Sequence, residues 1–448
     1  MKKSIRLLSV LFALCVILSS AIPNASAVNY PNNVKTMSDS ILLVNMDSGQ
    51  TVFEKDPDSK RYPASTTKIM TYIIVVESID DLDNTLVPIK QEIIDKLKGT
   101  GSSLAYVENH VGESMTVIDL LYSMMVPSGN DAAMVLADYV GNGDMNVFID
   151  KMNKKAEELG CENTHFQNPD GLHDDNHYTT ARDLYKITTY ALTLPRFAEI
   201  SNTTEYTCKG DDLPLITTNY LIDEYRGGEY YYMYAKGIKT GTTDEAGRCL
   251  VTTATADGYS YMAIILHAPY KEGEQEEYYT FTDAADLFRW ALTSLELKTV
   301  KTSNTPICEQ KVKLSMQCDA VNLVPESNIT VLVPSDIEDK DIIIEPNLPE
   351  VAEAPLSKDK PVGTAKVYYS DKDGNKQEIT EINLVPEENV ERSGFLAMLE
   401  VIGTIFQSYW FLVLIGLIVL ILLIYFIVFK INAKRKRKRR NVKHYRNF

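Results

Sequence analysis

The chain has 448 residues, with 45 Lys+Arg against 61 Asp+Glu and a formal net charge of −16. Its cationic residues crowd the two ends, so the region between is more acidic still; such a body repels polyanions, and any anion it binds must be held by a few placed cations in a site. Six cysteines, of which Cys15 falls in the leader described next, leave an odd number at no metal-like spacing in a body too large to depend on disulfides.

Residues 1–27 read as a secretory signal peptide: Lys2, Lys3 and Arg6, an apolar run from Leu7 to Leu18, then the small-residue site Ala25-Ser26-Ala27. Residues 34–297 mix alternating stretches such as SILLVNM and GYSYMAIIL, which predict strands, with periodic ones such as TVIDLLYSMM and DAAMVLADYV, which predict helices. That length fits one large α/β or α+β domain. Residues 298–386 change to short β-type runs (KVKLSMQC, ITVLVP, DIIIEP, AKVYYSD, EITEINLV) broken by Pro, Asn and Asp-Gly turns, which predicts a small all-β domain. Cys308 and Cys318 either pair across a hairpin or stay as thiols.

A linker at 387–408 leads to 409–429, an uncharged stretch long enough to cross about 30 Å of hydrocarbon, with Tyr409 and Trp410 suited to the interface. Residues 430–448 form a basic tail, and basic residues beside a span stay cytoplasmic. The expected location is therefore a single-pass protein of the cell membrane with its body outside the cell. A short basic cluster against a span reads as a stop-transfer and anionic-lipid contact, not as a nucleic-acid site.

The chemistry is expected in 34–297. In RYPASTTKIM, Ser65 and Lys68 stand three residues apart, one helical turn, just after Pro63-Ala64 and just before an apolar helical run. Ser65 is thereby placed at a helix N-terminus, where backbone N–H groups favour developing negative charge. A serine hydroxyl needs a neighbouring base, and Lys68 can serve if it is held neutral. The same spacing recurs at Ser357 and Lys360, in a Pro- and charge-rich stretch with no apolar helix behind it, so alone it means little. Company changes this: Ser128-Gly129-Asn130 lie in a turn begun by Pro127 between two helical runs, and Lys239-Thr240-Gly241 end a β-type run.

The order S-x-x-K, S-x-N, K-T-G resembles the signature of the penicillin-interacting serine acyltransferases. With the contexts YPASTTKIMT, SGNDAAMVLADYVG, LGCENTHFQNPDGLHDDNHYTTARDL and GIKTGTTDEAGRCLV, the sequence resembles the low-molecular-mass penicillin-binding proteins that are serine-type D-alanyl-D-alanine carboxypeptidases. The resemblance implies an α+β fold of penicillin-binding/β-lactamase type, an antiparallel sheet flanked by helices plus a helical cluster, followed by the small all-β domain and one transmembrane helix. It implies a hydrolase that removes the terminal D-alanine from peptidoglycan stem peptides, limits cross-linking of the cell wall, and is acylated by β-lactams. In these terms Ser65 is the nucleophile, Lys68 its base, Ser128 a relay to the leaving amine, and Asn130 a guide for Lys68 and the substrate amide. Lys239, Thr240 and Thr242 meet the terminal carboxylate, Gly241 admits close approach, and the N–H groups of Ser65 and Thr242 form the oxyanion hole. Burial and the charge of Lys239 are both expected to lower the pKa of Lys68. No cofactor, metal or nucleic acid is implied.

Other features are read more plainly. His165, His173 and His177 lie in a polar loop without a third ligand at helical spacing and are expected to hydrogen-bond there, and DKDGNKQE lacks the closing glutamate of a calcium loop and reads as a hairpin turn. Where many relatives carry a carboxylate-binding arginine before the last helix of the catalytic domain, this chain has Thr280 or a neighbour, and Arg248 and Arg289 are not obvious substitutes. Two rival functions share parts of the pattern. A β-lactamase would carry, in one major class, an E-x-x-L-N element that is missing between the second and third triplets. A β-lactam sensor would need a larger cytoplasmic part than a basic tail of about nineteen residues.

Overall fold

The computed structural model describes residues 30, 32–270, 277–371 and 374–444; the leader read at 1–27 lies outside them. The chain divides into two compact units. The first runs through Val300 and is joined by Thr330–Ile343 and Tyr368–Thr380, and the second takes Lys301–Ile329, Ile344–Val367 and the chain from Glu381 onward.

In the first unit the hairpin β1 (Ser40–Asn45) and β2 (Thr51–Lys55) precedes α1 (Lys68–Ser78). The short pair β3 (Leu86–Pro88) and β4 (Ser114–Thr116) brackets α2 (Gln91–Asp95). A helical cluster follows: α3 (Val117–Met125), α4 (Asn130–Val140), α5 (Met145–Glu158), α6 (Ala181–Ala191) and α7 (Phe197–Ser201). After the two-residue strands β5 (Glu205–Tyr206) and β6 (Leu215–Ile216), the chain returns as β7 (Ala235–Thr243), β8 (Gly247–Ala256) and β9 (Tyr259–Ala268), then α8 (Tyr279–Ser294). The main sheet has the order β2-β1-β9-β8-β7, and every pair in it is antiparallel. This leaves β7, which carries Lys239-Thr240-Gly241, as an edge strand.

The sequence explains these elements locally. Strand β8 is buried from Gly247 to Ala254 on both faces, which is why its apolar run does not alternate. Helix α1 is buried from Lys68 to Val75, so it behaves as a core helix and not as a surface one. Its Ile69, Tyr72 and Ile73 pack in one core with Leu120, Leu136, Phe148, Met262 and Ile264, and each such fully buried side chain contributes about 1.5–3 kcal/mol. The hydroxyls of Thr116 and Thr180 accept from the N–H groups of Asp119 and Asp183 and cap α3 and α6, each worth about 1 kcal/mol.

The β-rich region holds β10 (Leu295–Lys301), β11 (Cys308–Lys313), β12 (Ala320–Pro325), β13 (Ile329–Pro334), β14 (Ile342–Asn347), β15 (Ala352–Glu353), β16 (Gly363–Ser370) and β17 (Lys376–Pro386). Its larger sheet has the order β14-β16-β17-β12-β11-β15, and β10 pairs with β13. Within the second unit Val312, Val321, Leu323, Ala365, Leu384 and Val390 form a separate small core. Cys308 and Cys318 are half-buried free thiols, which answers the pairing question left open by the sequence. At the turn between β16 and β17, Asn375 N–H donates to the Asp371 carboxylate.

The stretch 387–408, read as a linker, contains a helix, α9 (Gly394–Gln407), capped by the Ser393 hydroxyl. It exposes Phe395, Met398, Val401, Ile405 and Phe406. Its apolar periodicity was hidden by the longer apolar run just after it. Helix α10 (Tyr409–His444) follows, and its part Tyr409–Arg437 is long and apolar enough to cross a membrane.

Candidate active site

Ser65 lies in a 3-10 turn, Ala64–Thr67, that runs directly into α1. The turn is held from several sides: Thr66 Oγ1 donates to Pro63 O, and Thr67 Oγ1 is 2.8 Å from His177 Nε2. Gln167 N–H donates to His177 Nδ1, so that nitrogen is bare and Nε2 carries the proton given to Thr67. Burial pushes the imidazole down to about 3, which keeps it neutral for this purpose. Gly171 closes the turn from outside. Its φ is +88°, and a Cβ there would stand 2.0 Å from Ala64 O and 2.9 Å from Ser65 N, so only glycine fits.

Lys68 is wholly buried. Its Nζ is 2.8 Å from Ser65 Oγ, 2.6 Å from Asn130 Oδ1 and 2.7 Å from the backbone oxygen of Asp170. Burial lowers its pKa to about 8, while the charges of Asp170 and Asp131 act in the opposite sense. Lys239 is equally buried, with Nζ 2.8 Å from Ser128 Oγ and 3.0 Å from Thr240 O. It is pushed well below its ordinary value by burial and then by the charge of Lys68. Desolvation is the leading cause at both amines, and at Lys239 the charge of Lys68 adds to it. Two ammonium groups in so dry a place would be costly, so the pair shares its charge unequally.

The second triplet joins α3 to α4. Ser128 adopts φ +66°, a strained conformation for a residue with a Cβ, and it turns the chain so that Asn130 can begin α4. Asn130 is fixed by its own N–H, which donates to Ser103 O, and by Nδ2, which donates to Ser102 Oγ. The next residue, Asp131, is fully buried and accepts from the N–H groups of Ala105, Val107 and Ala132, tying the 102–107 loop to the site. In the third triplet, Gly241 brings β7 against the turn: a Cβ there would be 3.0 Å from both Pro63 O and Ser65 N. Thr240 Oγ1 is in hydrogen-bond contact with Thr218 Oγ1.

The predicted residues therefore assemble as two hydrogen-bonded groups, Ser65 with Lys68 and Asn130, and Ser128 with Lys239. Ser65, Ser128, Thr240, Gly241 and Thr242 also line one cavity of about 340 Å³ with Ser103, Thr217, Thr218, Tyr220, Arg248, Tyr270, Tyr278 and Thr280. Lys68, Asn130 and Lys239 stand behind its wall. Sequence reasoning missed Asp131, Asp170 and the 102–107 loop, and it set Arg248 aside. Only Asp131 carried a signal, its place directly after Asn130. Arg289 pairs with Asp286 at 2.6 Å. Among the described residues no group of three or more His, Cys, Asp or Glu is arranged to hold a metal. Chemically, the arrangement offers a hydroxyl at a helix start, an amine able to take its proton, and a second hydroxyl–amine pair across the cavity.

Comparison with known proteins agrees in both parts of the chain. Residues 25–270 match the family model of D-alanyl-D-alanine carboxypeptidase, and residues 296–392 match that of the penicillin-binding protein 5 C-terminal domain. The chain is 28% identical over 364 residues to the D-alanyl-D-alanine carboxypeptidase DacF of Bacillus subtilis, covering 81% of this chain and 88% of that one. It is 37% identical over 237 residues to a D-alanyl-D-alanine carboxypeptidase of a Streptomyces species, covering 50% and 78%. Among solved structures, that of the D-alanyl-D-alanine carboxypeptidase DacD from Francisella tularensis superposes with a TM-score of 0.64 at 26% identity, over 84% of this chain and 98% of that one.

Proposed function

Because this chain belongs to the D-alanyl-D-alanine carboxypeptidase family of serine hydrolases, we propose that it removes the terminal D-alanine of peptidoglycan stem peptides through an acyl-enzyme on Ser65. The observation that carries the reading is the position of Lys68 Nζ, between Ser65 Oγ at 2.8 Å and Asn130 Oδ1 at 2.6 Å, in a site dry enough to bring its pKa down to about 8. Lys68 takes the Ser65 proton as the hydroxyl oxygen attacks the carbonyl between the two D-alanines. The N–H groups of Ser65 and Thr242 receive the oxyanion, a contribution of about 3–4 kcal/mol per donor. Ser128, in contact with Lys239, passes a proton to the departing D-alanine nitrogen, and water then hydrolyses the ester. Thr240 and Thr242 face the terminal carboxylate from β7, and β-lactams acylate the same serine.

The span in α10 anchors the protein in the cell membrane, with the body outside and the basic tail in the cytoplasm. The test is release of D-alanine from a pentapeptide ending in D-Ala-D-Ala by the intact protein, together with the lifetime of its penicilloyl-enzyme. Turnover of the peptide with a long-lived penicilloyl adduct supports the reading. Rapid hydrolysis of penicillin without D-alanine release would make it a β-lactamase, and a stable adduct with no turnover of either would make it a sensor.

A further inference from the structure

Resting on that reading, we propose that Arg248, at the start of β8, is the cation that binds the substrate's terminal carboxylate and so makes the enzyme selective for a free C-terminus. Of the described residues lining the cavity with Ser65, Arg248 is the one that brings a positive charge. Lys239, the expected partner of the carboxylate, instead turns its Nζ to Ser128 Oγ and Thr240 O behind the wall. Burial further holds Lys239 toward its neutral form, whereas a guanidinium keeps its charge when desolvated.

Position and orientation agree with this role. Arg248 is the cross-strand partner of Thr242 in the β7–β8 ladder, and directly opposed residues share a face at roughly 5 Å between Cβ atoms. A carboxylate that meets the Thr242 hydroxyl is therefore within reach of the guanidinium. The β8–β9 register slips between Arg248 and Leu250, and such a bulge re-aims the side chain beside it. The guanidinium carbon lies 3.6 Å from the centre of the Tyr278 ring and 4.9 Å from that of Tyr270, and the residue is only 7% exposed. Both rings and Thr280 line the same cavity. A planar cation clamped on aromatic faces has lost its rotamer freedom in advance and can offer paired N–H donors to a carboxylate.

The test compares the intact protein with its Arg248→Gln and Arg248→Lys variants on a D-Ala-D-Ala peptide and on the same peptide with a C-terminal amide. In parallel, benzylpenicillin and its methyl ester are competed against a fluorescent penicillin for Ser65. The inference expects Arg248→Gln to lower kcat/KM for the free-acid peptide roughly 10- to 100-fold, mostly through KM, and to change the amidated peptide less than about threefold. Arg248→Lys should recover part of the loss, and the preference for penicillin over its ester should narrow in step. An equal fall on acid and amide, or no fall on either, overturns the inference. If Arg248→Gln fails to fold, judged by thermal unfolding, Arg248→Lys alone must narrow both preferences or the inference is overturned. Should the wild type release no D-alanine, the reading of function fails, and the penicillin pair still decides on Arg248.

Discussion

Ser65 with Lys68 and Ser357 with Lys360 have identical spacing in the chain and contrary surroundings. Lys68 is wholly buried, with three oxygens within 2.8 Å of its amine. Lys360 is exposed, and its tie to the serine is a backbone one, its N–H donating to Ser357 O in a turn. Ser357 Oγ accepts from the N–H of Asp359, two residues on. One pair sits where a helix enters a core and the other in a loop. Spacing permits a serine and a lysine to touch, but only burial gives the lysine a reason to part with its proton, while the fixed acceptors hold its amine in place.

The largest expected effect separates the two serines outright. Ser65→Ala should abolish both D-alanine release and covalent labelling by penicillin, while Ser357→Ala leaves both unchanged; labelled Ser65→Ala protein would end the assignment. Next come the two asparagines beside the pairs. Asn130→Ala removes an acceptor from Lys68 and should slow acylation about a hundredfold or more, whereas Asn389→Ala, which takes an acceptor from Lys358 N–H, should not alter it.

The pH profile sharpens the comparison further. The neutral amine is the active form and its fraction grows with pH, so acylation should rise about tenfold per unit below the transition and level off above about 8. Because burial is the leading cause at Lys68, Lys239→Gln should leave most of that lowering in place; a transition that climbs to the ordinary lysine range would show that the charge of Lys239 is what holds Lys68 down. A smaller effect is expected of Gly241→Ala, whose methyl would press on Pro63 O and Ser65 N at 3.0 Å and should cost about 1–3 kcal/mol in stability, seen as a lowered Tm. Lys360→Ala, the least of these, should stay within about 0.5 kcal/mol.

The three triplets were legible because each is continuous in sequence and sits where its local structure is decided locally: a helix start, a turn after a proline, the end of a strand. What the sequence concealed is assembled at a distance. The backbone oxygen of Asp170 reaches Lys68 across 102 residues, and a carbonyl carries no side-chain signature. Arg248 looked like one charged residue heading an apolar strand; its place in the cavity follows from pairing with Thr242 and from rings some twenty to thirty residues further on. The unequal sharing of charge between Lys68 and Lys239, which are equally buried, depends on Asp170 and Asp131 acting on Lys68, and spacing does not encode that. Helix α9 was overlooked for a different reason, since fourteen apolar-rich residues before a span are masked by the span itself.

Tyr30 holds a consequence for how the enzyme can be handled. Its hydroxyl is buried and donates to Leu332 O, accepts from Gln50 Nε2, and its ring lies 5.9 Å from that of Tyr369. The first unit is thus threaded through the chain three times, at its start and again at Thr330–Ile343 and Tyr368–Thr380. A secreted fragment cut after α8 would look complete on a linear map yet would lack two of its own pieces and leave a tyrosine without its partner. The shortest soluble form that keeps this weave intact ends between Val390 and Gly394, beyond β17 and before the exposed apolar face of α9.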